Sequence, residues 1–273
     1  MPSLDAARLR AELVRPTGPY AALDVVASTG STNADLREAV TEGAADRTVL
    51  IAEQQTAGLG RRGRMWVSPP DTGLYLSVLL RPERVPFSGY GSLAVAAGLA
   101  VVDTATELGA RVVLKWPNDV LARDGRGKCA GILAEAVASD ENAVVLGLGV
   151  NVRRAREPVR PGPGSLPAVS LAELGARVTD RTKVARLLLA SLHAREKRWR
   201  AARGDLAAAG LLADYRAHCA TLGQEVKVTV AGAKALVGRA VDVDEAGALV
   251  LDTTSGRRTV FAGDVTHLRP AVE

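Results

Sequence analysis

Short apolar runs and helical periodicities interleave along this chain from Ala22 onward. Ala22 to Ala27 is apolar and β-branched, and it leads into Ser28–Asn33, where Ser31 or Thr32 offers an N-cap for a helix that stops at Gly43. Thr48 to Glu53 reads as a second short strand and Gly73 to Leu80, GLYLSVLL, as a longer one. Ser92 to Leu108 is Ala-rich and closes on Gly109, the pattern of a buried helix with a glycine stop. Arg111–Trp116, Asp119–Ala122, Cys129–Val137 and Ala143–Val152 then follow as four strands parted only by turn material such as PND and RDGRG. Parallel neighbours need crossovers of about a dozen residues, so these strands predict an antiparallel or mixed sheet and an α+β class.

The first twenty residues read as a short helical or loose arm. Arg153 to Ser170 is rich in proline, glycine and arginine and reads as a loop. Asp180 or Thr182 caps a predicted helix through Arg203, and Asp205 caps a second that ends before Gly223. Beyond Gly223 the pattern turns to strands only: Glu225–Val230, Leu236–Val243, Ala248–Asp252, Arg258–Ala262 and Val265–Arg269. Such a run predicts a small β-barrel.

Composition narrows this picture. The chain has 273 residues, enough for a large domain plus a small one. Hydrophobic residues make up 47% but aromatics only 3%, so the core rests on Ala, Val and Leu, and the three Trp need a local explanation. Lys and Arg exceed Asp and Glu by 35 − 30 = +5, too little to mark a dedicated nucleic-acid binder. The two cysteines, Cys129 and Cys219, have neither zinc-site nor disulfide-framework spacing. Asp5 and Glu12 interrupt any secretory h-region, and the longest apolar run, Leu93 to Val102, is roughly half of what a bilayer requires. A cytoplasmic protein without membrane or nucleic-acid partners is expected.

Candidate chemistry concentrates in three places. Gly58, Gly60 and Gly63 spell G-x-G-x-x-G, yet the loop runs into Pro69 and Pro70 instead of opening a helix, and Arg64 and Met65 stand where a phosphate-binding P-loop needs Lys and Ser or Thr. The loop is either a solvated basic turn or a mobile backbone that brings Arg61, Arg62 and Arg64 to a carboxylate or phosphate. Lys115, Trp116, Pro117, Asn118 and Asp119 are either a plain turn or a cation, a ring face and two polar groups gathered for a nucleotide or metal. Lys128 opens the apolar strand KCAGILAEA and either snorkels outward or faces an anion in a cleft.

Taken together, STN at Ser31–Asn33, EQQTAGLGRRGRMW at Glu53–Trp66, KWPND at Lys115–Asp119, GKCAGILAE at Gly127–Glu135 and GLGVNV at Gly147–Val152 closely resemble the biotin protein ligases over about residues 22 to 270. The resemblance implies an N-terminal arm over 1–20, a catalytic domain over 21–221 and an SH3-like β-barrel over 222–273. It also implies two steps in one site: biotin and ATP give biotinyl-5′-AMP, and a lysine of an apo biotin carboxyl carrier protein domain takes the acyl group. By the same resemblance Ser31, Thr32, Asn33 and Gln55 contact biotin, and Gly58, Leu59, Gly60 and Arg61 wrap the biotin and the adenylate. Lys128 serves biotin and catalysis with Arg61 and Asp119. Arg61, Arg64, Trp66, Lys115, Asn118 and Asn151 face the nucleotide, and Asp119 is the candidate Mg²⁺ ligand. Leu59 and Met65 depart from the basic residues common at those places.

The resemblance carries three further expectations. The glycine loop orders on ligand binding and shields the adenylate from water. The arm is too short for the DNA-binding winged helix that some members carry, so no repressor activity is expected, and a monomer is favoured over a dimer. Lipoate–protein ligation is the alternative chemistry, and the basic run Arg195–Arg203 is the alternative nucleic-acid surface.

Overall fold

The computed structural model describes residues 3–157, 159, 166–230 and 234–268. The expected arm is ordered: α1 (Ala6–Leu13) starts at Asp5, whose side chain accepts from the Arg8 amide, and buries Leu9 and Leu13. A β-α-β unit follows, with β1 (Ala22–Val26) parallel to β2 (Thr48–Ala52) across α2 (Thr32–Thr41). Then come β3 (Gly73–Leu80), α3 (Leu93–Leu108), β4 (Val112–Lys115), β5 (Asp119–Ala122), β6 (Lys128–Val137) and β7 (Asp140–Asn151). The sheet runs β1-β2-β3-β7-β6-β5-β4, and every neighbouring pair after β1–β2 is antiparallel, which is the mixed sheet the sequence predicts.

Central strand β3 shows why the sheet is covered on both faces. Leu74, Leu76, Val78 and Leu80 enter the main core, which α3 and α4 (Arg181–Ala201) close. Leu79 points to the other face and joins Leu36 and Val40 of α2 in a smaller core with Val145. Small residues let α3 lie close to the sheet; a Cβ on Gly98 would come within 3.0 Å of Leu114. The apolar stretch Phe87–Leu108 has the length and composition to cross a bilayer, but it is mostly buried and serves as the core helix.

Asp180 caps α4 by accepting from the Lys183 amide, and the helix ends at Ala201, short of the expected Arg203. Asp205 caps only a turn, accepting from Ala208, and the second helix is the short α5 (Leu212–His218). Trp199 is fully buried and donates to Ser92 Oγ at 2.8 Å.

The C-terminal strands are β8 (Glu225–Thr229), β9 (Leu236–Val243), β10 (Leu249–Thr253), β11 (Gly256–Val260) and β12 (Asp264–His267). They form an antiparallel sheet in the order β11-β10-β9-β8-β12. Among the described residues β11 and β12 are its two edges, so the pairing is open where a closed barrel was expected. Part of the predicted 153–170 loop, and Arg269 of the last predicted strand, lie outside the described residues.

This sheet shares the main core through Val226, Val228, Ala240 and Leu249. Trp116 fastens it, since the ring is 2% exposed and the indole N–H donates to the Gly247 carbonyl at 2.9 Å.

Candidate active site

On the sheet face that carries α2, the helix covers only one end of the strands. The other end is paved with glycine. Gly131 of β6 and Gly149 of β7 are register partners, and Gly147 pairs with Ser77 of β3 and Leu133 of β6. A Cβ on Gly149 would stand 2.5 Å from the Trp66 indole, one on Gly131 3.1 Å from it, and one on Gly147 2.3 Å from Asn33 Oδ1. Bare backbone therefore makes a floor on which side chains from other elements lie flat. Above this floor opens a cleft of about 210 Å³. A single water needs roughly 10–15 Å³, so the space suits a small organic ligand.

The N-terminus of α2 closes one end with a polar cluster. Gln55 Oε1 accepts from the Thr32 amide at 2.9 Å and from its hydroxyl at 3.0 Å, while Gln55 Nε2 donates to Ser68 Oγ at 3.2 Å. Ser77, fully buried in β3, contacts Thr32 Oγ1 at 2.7 Å and Asn33 Oδ1 at 2.6 Å. Asn33 Nδ2 donates in turn to Glu135 Oε2 at 2.7 Å. Ser31 occupies the N-cap position without making a cap bond, and it lines the cleft.

At the other end stands Lys128. A register shift in the β5–β6 pairing places Val120 opposite Ala130 but Leu121 opposite Lys128, so one extra β6 residue sits in the ladder. Because strand side chains alternate faces, such a bulge re-aims the residues before it. Lys128 thus reaches the same patch as Gly131, with Nζ 2.7 Å from Asp119 Oδ1 and 5.3 Å from the centre of a Trp66 ring. Asn118 holds this strand end by donating to the Ile132 carbonyl at 2.8 Å. Asn151 donates to the carbonyls of Lys128 and Val169, so its amide fixes backbone beside the cleft it lines.

The glycine and arginine loop forms the rim. The Trp66 amide donates to the Gly58 carbonyl and the Gly60 amide to the Arg64 carbonyl across a small hairpin whose tip is a single 3-10 turn, Arg61–Gly63. No helix follows, consistent with Pro69 and Pro70. Leu59 and Met65 face each other across the hairpin and are 51% and 76% exposed. Arg61 turns toward the cleft, with Nη1 3.5 Å from Asn118 Oδ1 and 3.2 Å from the Gly263 carbonyl. Arg62 and Arg64 both pair with Asp264 of β12. Arg64 lines the cleft but is already bound to that carboxylate.

The charge balance of the cleft is positive. Arg61, Arg64, Lys115 and Lys128 line it against Asp119 and Asp264, and both carboxylates are already paired with cations. Burial pushes the Lys115 ammonium below its ordinary range, and Lys128 and Arg64 push the same way while Asp119 and Asp264 oppose them. Burial likewise lowers Arg61, with Arg62 and Arg64 adding repulsion. Crowded, partly desolvated cations of this kind favour an incoming anion. The Trp66 indole N–H is buried without a hydrogen-bond partner, a second unmet demand at the same place.

Of the site residues singled out in the sequence, all but Gly58, Arg62 and Gly63 line this one cleft; Gly58 packs against the Trp66 carbonyl, and Arg62 is turned to Asp264. Trp116 lines it too, but as a buried pin for the C-terminal sheet and not as a free ring face. Sequence reasoning missed Ser77 and Asp264, and it gave no role to Glu135 or the floor glycines, which lie within the segments GKCAGILAE and GLGVNV. The i, i+2 spacing of Gly147 and Gly149 carries a signal for the floor, since it leaves one strand face bare.

Two family profiles match the chain: the Biotin/lipoate A/B protein ligase family over residues 25–151, and the Biotin protein ligase C terminal domain over residues 221–268. The biotin–[acetyl-CoA-carboxylase] ligase of Mycobacterium tuberculosis is 46% identical, over 98% of this chain and 97% of its own length. The enzyme of that name from Paracoccus denitrificans is 33% identical, over 88% of this chain and 98% of its own. Among solved structures, the biotin protein ligase of Aquifex aeolicus in complex with biotin and ATP superposes with a TM-score of 0.75 at 27% identity, covering 92% of this chain and 100% of that one. A cationic cleft on a glycine floor, the two matched profiles and identity along almost the whole length agree, and the chain belongs to the biotin protein ligase family.

Proposed function

We propose that the chain attaches biotin to a specific lysine of a biotin carboxyl carrier protein domain, by way of biotinyl-5′-AMP. The observation that carries this reading is the pairing of chemistries at the two ends of one cleft. The closed end offers amide and hydroxyl groups of Ser31, Thr32, Asn33 and Gln55. A ureido ring needs both donors and an acceptor there, whereas the dithiolane ring of lipoate makes no such bonds, so biotin is favoured over the alternative. Leu59 and the glycine floor would flank the apolar part of the ligand.

The open end supplies fixed positive charge. In the first step a carboxylate oxygen of biotin bonds to the α-phosphorus of ATP as the bond to the β-phosphate oxygen breaks and pyrophosphate leaves. Lys128, Lys115 and Arg61 stabilise the charge that develops, and Asp119 holds Lys128 in place. In the second step the acceptor lysine amine bonds to the acyl carbon, a proton departs, and AMP leaves. Trp66 offers its ring face to the adenine, and Asn118 and Asn151 keep the strands beneath in register.

Mg²⁺ is usually held by one or two carboxylates together with substrate phosphates, and Asp119 fits that limited role. Among the described residues no group of three or more His, Cys, Asp or Glu gathers for a protein-only metal site. Bound with the phosphates, Mg²⁺ would neutralise charge on the leaving group.

On this reading residues 21–221 are the catalytic domain, 222–273 the C-terminal domain and 1–20 an arm, and the enzyme acts as a cytoplasmic monomer. The deciding experiment incubates the protein with biotin, ATP, Mg²⁺ and an apo carrier domain and seeks the lysine adduct by mass spectrometry, with lipoate in parallel. A lipoyl adduct without a biotinyl one overturns the proposal.

A further inference from the structure

Three arginines within four positions, Arg61, Arg62 and Arg64, repel one another at the tip of the rim hairpin. One carboxylate from the C-terminal sheet resolves this. Asp264 Oδ2 accepts from Arg62 Nη1 at 2.9 Å and Asp264 Oδ1 from Arg64 Nη2 at 2.5 Å, so each oxygen takes one guanidinium. Arg62 Nη2 also donates to the Thr229 carbonyl at 3.0 Å, and Thr229 is the register partner of Asp264 across β8 and β12. The Gly263 carbonyl receives Arg61. The end of one strand pair thus receives the whole arginine cluster.

The backbone supports the same point. Arg62 has φ of 57°, in the left-handed region that a residue with a Cβ adopts at a cost. Such a conformation persists where surrounding contacts determine it. Here those contacts are the two that its guanidinium makes on the C-terminal sheet.

We infer that Asp264 is a positioning residue: it clasps the loop over the cleft from the second domain, taking Arg62 and Arg64 out of play and leaving Arg61 for the activated intermediate. The inference rests on the ligase reading and adds to it a task for the C-terminal domain, namely retention of the adenylate until the acceptor lysine arrives. Asp264 touches no reacting atom. Its effect falls on how long the loop stays closed, not on the chemistry under it.

The test uses the full chain and three variants. Asp264→Asn removes the charge, Asp264→Glu keeps it, and Arg62→Gly removes one contact while easing the left-handed backbone. Trypsin cleavage after the loop arginines, without ligand, is expected to accelerate about tenfold in Asp264→Asn and in Arg62→Gly, and to return toward wild type in Asp264→Glu. With biotin and ATP, adenylate passing an ultrafiltration membrane is expected to rise by a similar factor in Asp264→Asn, while pyrophosphate release at saturating substrates changes little. Melting temperatures near wild type exclude general unfolding, and Arg62→Gly carries the proteolysis arm if Asp264→Asn does not fold. Wild-type cleavage rates in Arg62→Gly and the folded Asp264 variant overturn the clasp. If wild type forms no adenylate while the proteolysis effect holds, the ligase reading fails and the clasp stands.

Discussion

Lys128 Nζ and Asp119 Oδ1 lie 2.7 Å apart, with both side chains about one quarter exposed. A pair this open adds little to stability, within about 1 kcal/mol. Its value is geometric, because the carboxylate fixes an ammonium that the β6 bulge has already turned toward the floor glycines. Lys128→Ala is therefore expected to lower adenylate formation by roughly a thousandfold or more while the melting temperature barely moves. Asp119→Asn keeps the lysine but loosens it and should cost about tenfold. Pyrophosphate release checks both, and a Lys128→Ala enzyme at wild-type rate would remove this residue from the mechanism.

Gly149 has no room for a side chain, since its Cβ would meet the Trp66 indole at 2.5 Å. In Gly149→Ala the ring has to lift from the floor, with an overpacking cost of about 1–3 kcal/mol at the site. The expected result is a raised KM for ATP and altered tryptophan fluorescence. Gly91→Ala is the control, as a Cβ there meets nothing within 4 Å. Equal KM values in the two variants would mean that the ring's seat on the glycines is irrelevant to the nucleotide.

Ser77 is a buried hydroxyl in an otherwise apolar strand, shared between Thr32 and Asn33. Ser77→Ala leaves both partners without it, a loss of about 1–3 kcal/mol for buried polar groups. Because these partners line the end of the cleft proposed to take biotin, the expected effect is a rise in KM for biotin of about tenfold, with kcat at saturation nearly preserved. Titration calorimetry with biotin alone gives the same answer without chemistry. An unchanged biotin affinity would restrict Ser77 to a structural role.

The parts of this site that are legible in the sequence are those whose residues are contiguous. Ser31–Asn33, Lys115–Asp119 and the arginine loop each stand out within a few positions, and so does Lys128 against its apolar strand. The fold is legible for a similar reason, as close strand spacing forces antiparallel pairing. What escapes is whatever depends on register or on long separation. Gly131 and Gly149 become one floor only when β6 and β7 pair. Ser77 hides inside GLYLSVLL because an apolar run gives no sign of which face meets α2. Asp264 is 200 positions from Arg64, and nothing local to it marks a partner. Trp116 misleads in the opposite way: an aromatic beside polar motif residues suggests stacking, but the ring fills the joint with the C-terminal sheet.

Cys129 precedes Ala130 on the β6 strand that carries the site, and its thiol is fully buried. Burial, with the nearby charge of Glu173, pushes its pKa from 9.0 up to about 12. Between those two values the unfolded chain has lost the thiol proton while the native protein keeps it. The native state then binds more protons, so stability falls as pH rises through this window and is unaffected by this group below it. At pH 10 the loss from Cys129 is about 1 kcal/mol. Buried Tyr75 and Cys219 shift in the same direction, so the wild-type curve alone does not isolate it. Urea unfolding of wild type and Cys129→Ala at pH 8 and pH 10 does, because the cavity penalty of the variant is the same at both pH values and cancels. The drop in stability between the two pH values should be smaller in the variant by about that 1 kcal/mol. Equal drops would show that the thiol ionises as readily in the native strand as in the unfolded chain.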